Sequence, residues 1–214
     1  MDVNAEVLKR YSEGAEKRQT ELCCPIDYDA GLLKLLPQEI VEKDYGCGDP
    51  SRYVREGDVV LDLGSGAGKI CYMAAQLVGS EGRIIGVDMN DDMLALARKY
   101  QGEMAGKLGG DRVHFAKGYI QDLALSLDEM ERYLAGHTVR TAADYSLLQD
   151  WQARQRRERP LIEGNSVDLV TSVGAACGGC YIGAGISTMC SRTGRSAVPA
   201  RTPLPPLHEW ALLG

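Results

Sequence analysis

The sequence predicts an α/β domain built on a doubly wound, mainly parallel sheet, and three observations support this prediction. Short apolar segments typical of buried strands alternate along the chain with segments of helical periodicity. The first of these strands runs directly into closely spaced glycines. The alternation stops at Ser172, so we expect the sheet to be incomplete.

Length and composition limit the class of protein. A chain of 214 residues with 44% hydrophobic residues buries one sizeable core, and we expect one such domain. A net charge of −6 argues against general binding of nucleic acid or anionic membranes. The chain has neither an apolar run of membrane-spanning length nor a signal peptide's apolar core. We therefore expect a cytoplasmic protein whose seven cysteines are thiols.

The first 50 residues form an N-terminal helical and cysteine-loop segment. Apolar residues at helical spacing predict an amphipathic helix over residues 1–22, which ends at Cys23-Cys24-Pro25. A second helix is predicted over residues 32–43. Turn-forming residues then predict a loop over 44–50.

The regular part of the domain follows. Buried strands are predicted over residues 59–63, 84–88, 113–116 and 167–171, and helices over 70–78 and 92–108. Strands that alternate with helices in this way form parallel sheets through right-handed crossovers. Before the fourth strand, residues 124–162 are polar and rich in helical periodicity, which indicates a helical insertion.

The glycines after the first strand indicate a nucleotide-type ligand. Gly64, Gly66 and Gly68 occupy every second position, where missing side chains let a ligand lie against the backbone. The dinucleotide fingerprint needs its third glycine at the position of Lys69, so an NAD-dependent oxidoreductase is disfavoured.

An acidic residue, Asp88, ends the second strand, 24 positions after Gly64. A carboxylate there accepts hydrogen bonds from both ribose hydroxyls of a nucleoside. The alternative is that Asp88 only caps the helix that begins near Asp91.

Several motifs together resemble one family. They are a Tyr-Gly-Cys-Gly loop at residues 45–48, Leu-Asp-Leu-Gly-Ser-Gly at 61–66, Cys-Tyr at 71–72, Gly-Val-Asp-Met at 86–89, Gly-Tyr-Ile at 118–120 and Asn-Ser-Val-Asp at 165–168. Over residues 1–172 the chain resembles arsenite methyltransferases, which are S-adenosylmethionine-dependent enzymes of Rossmann-like fold. The resemblance implies a methyltransferase domain over 1–172 with strand order 3-2-1-4.

The resemblance also implies how the cofactor, S-adenosylmethionine, is held. Asp62 is expected to hold the methionine amino group, Asp88 the ribose hydroxyls, and Met89 to lie against the adenine. Relatives carry an acid where this chain has Gln121, whose amide oxygen, or the neighbouring Asp122, is expected to serve instead. The full set of expected cofactor-binding residues is Asp62, Gly64, Ser65, Gly66, Gly68, Asp88, Met89, Ile120 and Gln121.

The methyl acceptor implied by the resemblance is arsenite or a related metalloid, free or as a glutathione complex. Trivalent arsenic is soft and binds thiolates. Cys47 is expected to be one arsenic-binding thiol, together with Cys23 or Cys24. Cys71 is expected to be a small buried residue of the first helix after the glycines.

The resemblance stops at Ser172. Relatives continue with Ser-Asn-Cys, whose cysteine is an arsenic ligand, whereas Val173 and Gly174 follow here. Residues 173–214 have the composition of a poorly ordered tail. The outer edge of the fourth strand is then unpaired unless the tail covers it. The alternative function is a truncated, non-catalytic S-adenosylmethionine-binding protein.

Overall fold

The computed structural model describes residues 28–43 and 48–172, the single residue Ser12, and the backbone of residues 189–192. The predicted helix over residues 1–22, apart from Ser12, lies outside the described residues. The same holds for Cys23, Cys24 and Cys47 and for the rest of the predicted tail.

One six-stranded mixed sheet organises the described chain, in the order β4-β3-β2-β1-β5-β6. Its central strands β3, β2, β1 and β5 are parallel, whereas β4 and β6 pair antiparallel at the two edges. The strands are β1 (Val59–Leu63), β2 (Arg83–Asp88), β3 (Val113–Tyr119), β4 (Asp122–Ser126), β5 (Leu169–Ser172) and β6 (Met189–Arg192). The predicted fold class and the order of the four parallel strands are confirmed.

Helices precede β1 and connect the later strands. They are α1 (Ala30–Leu33), α2 (Gln38–Lys43), α3 (Lys69–Ala75), α4 (Asp91–Lys99), α5 (Gln101–Leu108), α6 (Leu127–Gly136) and α7 (Ala142–Glu158), with a 3-10 turn at Ser51–Tyr53. Two predicted helices are each divided. The helix predicted over 32–43 is interrupted ahead of Pro37, since proline disfavours helical backbone in the residue before it. The helix predicted over 92–108 breaks at Tyr100, whose φ is −100° and ψ is 1°.

Alternate residues of the central strands face two separate cores. Val60 of β1 and Ile84 of β2 pack with α3 and its neighbours on one face. On the other face, Leu61 and Val87 pack with partly buried apolar residues of the inserted segment, among them Leu161. The insertion therefore covers one face of the sheet.

The two edge strands were not predicted from the sequence. β4 lies largely within the segment predicted as helical, and it forms a hairpin with β3 through residues 120–121. β6 belongs to the predicted tail and pairs antiparallel with β5 from Leu169 to Ser172. The outer edge of the fourth parallel strand is therefore covered by the tail, which removes a row of unsatisfied backbone groups.

Candidate cofactor site

The predicted cofactor residues gather at the carboxyl edge of the parallel strands. Asp62 lies near the end of β1, where it pairs in register with Gly86 of β2 and Thr171 of β5. Asp88 is the last residue of β2 and lies beside Lys117 of β3. In open parallel sheets, ligands bind in the crevice at this edge, at the point where the strand order reverses.

The glycine loop after β1 has a backbone that other residues rarely adopt. Gly64, Gly66 and Gly68 have φ values of 74°, 53° and 85°, all in the left-handed region. The N–H groups of Gly64 and Ser65 donate to the Val87 carbonyl at 2.8 and 3.1 Å. The loop is thereby attached to the end of β2, and its alternating glycines meet a conformational requirement.

Asp88 fastens the same loop from the other side. One carboxylate oxygen accepts the Gly66 N–H at 2.8 Å and the other accepts the Asn90 N–H at 2.9 Å. The helix α4 is capped by Asn90 instead, whose side chain accepts from the N–H groups of Asp92 and Met93. The alternative in which Asp88 caps this helix is therefore wrong.

Asp62 is buried, with 2% of its surface exposed, at the end of β1. The Thr171 hydroxyl donates to one carboxylate oxygen at 2.8 Å. The Cys71 thiol lies 3.5 Å from the other oxygen. Cys71 is fully buried, as predicted, and it also contacts the carboxylate expected to hold the cofactor's amino group.

The predicted adenine-side residues lie on two neighbouring loops. Ile120 and Gln121 are the turn residues of the β3–β4 hairpin, the first half-buried and the second exposed, and Met89 is half-buried just after β2. The Asp122 carboxylate instead accepts two hydrogen bonds from Arg156 of α7, at 2.9 and 3.0 Å. Asp122, the predicted alternative to Gln121, is thus already paired with α7.

Lys117 is a site neighbour that the sequence interpretation missed. Its side chain is 7% exposed and donates to Asp91 of α4 at 2.7 Å and to Glu131 of α6. Burial by itself lowers the pKa of Lys117, but these hydrogen bonds outweigh burial and leave the pKa above its usual value. A lysine inside the apolar strand after Val113 was the signal that predicts such a paired cation. Lys117 thereby connects α6 of the insertion to the first residue of α4.

Two features of the described residues fit S-adenosylmethionine. The Ser65 hydroxyl is buried and has no hydrogen-bond partner within the described ranges, so a polar ligand atom would satisfy it. The second feature is the left-handed backbone of the three glycines, a conformation that residues with side chains rarely adopt. Within the same ranges, no group of three or more metal-ligating side chains occurs, and no helix is long and apolar enough to cross a membrane.

Comparison with known proteins indicates which class of domain this site belongs to. Residues 55–148 match a family described as a methyltransferase domain. This segment contains the glycine loop, Asp88 and the β3–β4 turn, which are the parts that define a cofactor site. This part of the chain, a little under half of it, is therefore similar to methyltransferase domains.

The particular resemblance is to arsenite methyltransferases, as the motifs predicted. The chain is 43% identical to one from Aquipseudomonas alcaligenes, over half of this chain and 32% of that protein. It is 38% identical to one from Homo sapiens, over 42% of this chain and 25% of that protein. A solved arsenic(III) S-adenosylmethionine methyltransferase from Chlamydomonas reinhardtii is 32% identical over 51% of this chain and 44% of that chain, with a TM-score of 0.41. The chain spans a third or less of the length of the two curated relatives.

Proposed function

We propose that this protein is an S-adenosylmethionine-dependent methyltransferase that methylates arsenite held by cysteine thiolates. The observation that carries the proposal is the joint fastening of the glycine loop and Asp88 at one sheet edge. Two rigid backbone donors hold the carboxylate in place, which preorganises it for a pair of ribose hydroxyls. The arsenite methyltransferases that resemble the chain support the choice of acceptor.

The chemistry asks little of the protein beyond alignment. When bound, the cofactor supplies a methyl group that leaves the sulfonium sulfur with the bonding electrons staying on sulfur, while the arsenic lone pair forms the new As–C bond. This chain's residues bind and orient the two reactants, with Asp62 and Asp88 on the cofactor and Cys47, with Cys23 or Cys24, on arsenic. The thiol roles rest on the motif resemblance, since these cysteines lie outside the described residues.

The second candidate is a non-catalytic S-adenosylmethionine-binding protein. The observation that favours it is the departure of the sequence from the arsenite methyltransferase motif after Ser172, where Val173 and Gly174 replace an Asn-Cys pair. Asp62 and Asp88 lie on β1 and β2, which precede this departure in the sequence. Binding and turnover therefore have to be measured separately.

Calorimetry with S-adenosylmethionine and with NAD tests the cofactor. We expect binding of the first alone, and Asp88→Asn is expected to weaken it about tenfold because one acceptor of the ribose pair becomes a donor. Asp92→Asn is the matched control: the same charge is removed four residues away, on an exposed side chain, and affinity should stay within twofold. Equal weakening by both variants would contradict the assigned role of Asp88.

Turnover is tested with arsenite, glutathione and cofactor carrying a labelled methyl group. Labelled methylarsenic species are expected, and their formation should stop in Cys47→Ser. Cofactor binding without any methylated arsenic would reject the enzyme and favour the second candidate.

A further inference from the structure

The Asp62 carboxylate is held from two sides by side chains that no sequence motif assigns to the cofactor. Thr171 reaches it from the neighbouring strand β5 and Cys71 from the helix α3. The hydroxyl donates to Oδ1 and the thiol lies beside Oδ2, so each carboxylate oxygen has its own side-chain neighbour. Two contacts at different oxygens fix both the position and the plane of the carboxylate.

Thr171 is unusual for its place in the sheet. It is 1% exposed in a parallel strand covered on both faces, where apolar residues such as its neighbours Leu169 and Val170 are the rule. A hydroxyl buried there is costly unless it makes a hydrogen bond. Its alternative acceptor, the Leu61 carbonyl, is 3.5 Å away, whereas Asp62 is at 2.8 Å. The hydroxyl is therefore directed at the carboxylate.

We propose that Thr171, assisted by Cys71, is a positioning residue that orients the Asp62 carboxylate for the α-amino group of the cofactor's methionine part. This inference rests on the proposed function. A hydrogen bond to a charged group is among the stronger ones in proteins, and its effect on binding appears only for ligands that carry the amino group.

Two related ligands separate positioning from a purely structural role. S-adenosylhomocysteine and 5′-methylthioadenosine are both neutral at sulfur and share the adenosine, but only the first carries the amino-acid end. Thr171→Val keeps the side-chain shape and removes the hydroxyl. We expect it to weaken S-adenosylhomocysteine about tenfold while 5′-methylthioadenosine stays within twofold, measured by calorimetry.

Three further variants complete the test. Thr171→Ser retains the hydroxyl and should restore most of the affinity for S-adenosylhomocysteine, and Cys71→Ala should weaken it severalfold. The matched control is Ser172→Ala, because the Ser172 hydroxyl donates to the Leu63 carbonyl at 3.3 Å and not to Asp62. This control should leave both ligands bound as in the wild type.

Each outcome decides the inference. Equal weakening of both ligands by Thr171→Val shows a structural role only, and unchanged affinity for S-adenosylhomocysteine shows that Asp62 needs no positioning; either result overturns the inference and leaves the proposed function standing. Failure of the wild type to bind S-adenosylhomocysteine overturns the proposed function and the inference with it.

Discussion

Gly68 offers the sharpest test of how the glycine loop is built. It is the residue before α3, with φ at +85° and ψ at 16°. A Cβ built there would lie 2.6 Å from Cζ and 2.9 Å from Cε1 of Phe115. Real Cβ atoms do not approach a ring this closely, so Gly68→Ala must strain the backbone and also displace the ring.

The ring has little room to move. Phe115 is 3% exposed and packs edge-to-face on Tyr72 at a centroid distance of 5.5 Å. Tyr72 is itself fixed, since its hydroxyl donates to the Ala97 carbonyl at 2.7 Å. We assign about 1–2 kcal/mol to the left-handed backbone and about 1–3 kcal/mol to overpacking. Gly68→Ala is therefore expected to lower the free energy of unfolding by about 2–5 kcal/mol.

Gly106→Ala is the matched control. Gly106 lies inside α5, has no left-handed φ, and a Cβ there would meet no atom within 4 Å. Alanine is better than glycine in such a helix, so the control should stabilise the protein by about 0.5–1 kcal/mol. The same methyl group thus has opposite expected effects at the two positions.

Urea unfolding followed by far-UV circular dichroism measures both variants against the wild type. The midpoints should move in opposite directions with an unchanged slope. Surface substitutions usually change the free energy of unfolding by less than about 0.5 kcal/mol. If Gly68→Ala stayed within that range of the wild type, the argument from backbone strain and ring contact would be refuted.

Two further predictions concern ion pairs. Glu39→Gln should destabilise the protein by about 1 kcal/mol at pH 7, because hydrogen bonds from Lys99 and then Tyr100 lower the pKa of the partly exposed Glu39 carboxyl to about 2. A carboxyl group with a lowered pKa stabilises the fold above its usual pKa of 4.5 and loses this effect as it becomes protonated. The difference in urea midpoint between the wild type and Glu39→Gln should therefore shrink as the pH falls from 5 to 3, and a difference that stays constant would contradict this. Lys117→Met should lower the free energy of unfolding at pH 7 by about 1 kcal/mol, because Asp91 and Glu131 lose the buried cation with which they pair. A melting temperature above that of the wild type would contradict this, because it would mean that burial of the ammonium group destabilises the fold more than its ion pairs stabilise it.

Local signals in the sequence predicted the central part of the fold. The strand Val59–Leu63 has the predicted bounds because a short apolar run followed by glycines permits little else. The glycines at 64, 66 and 68 were predicted to let a ligand lie against the backbone, and the structure adds that all three adopt left-handed φ. The helix breaks at Pro37 and Tyr100 were not predicted, because the spacing of apolar side chains does not reveal where the backbone leaves the helical conformation.

Side chains from distant parts of the chain complete the site, and periodicity does not report their meeting. The sequence by itself determined the class of sheet, the glycine loop and the acidic ends of the first two strands, because each depends on residues a few positions apart. Only the tertiary structure decided that Thr171 meets Asp62 across 109 residues, that Lys117 joins α4 to α6, and that Met189–Arg192 cover the edge of β5. The physical reason is that these contacts follow from strand order and register, which a sheet fixes only when all its strands assemble.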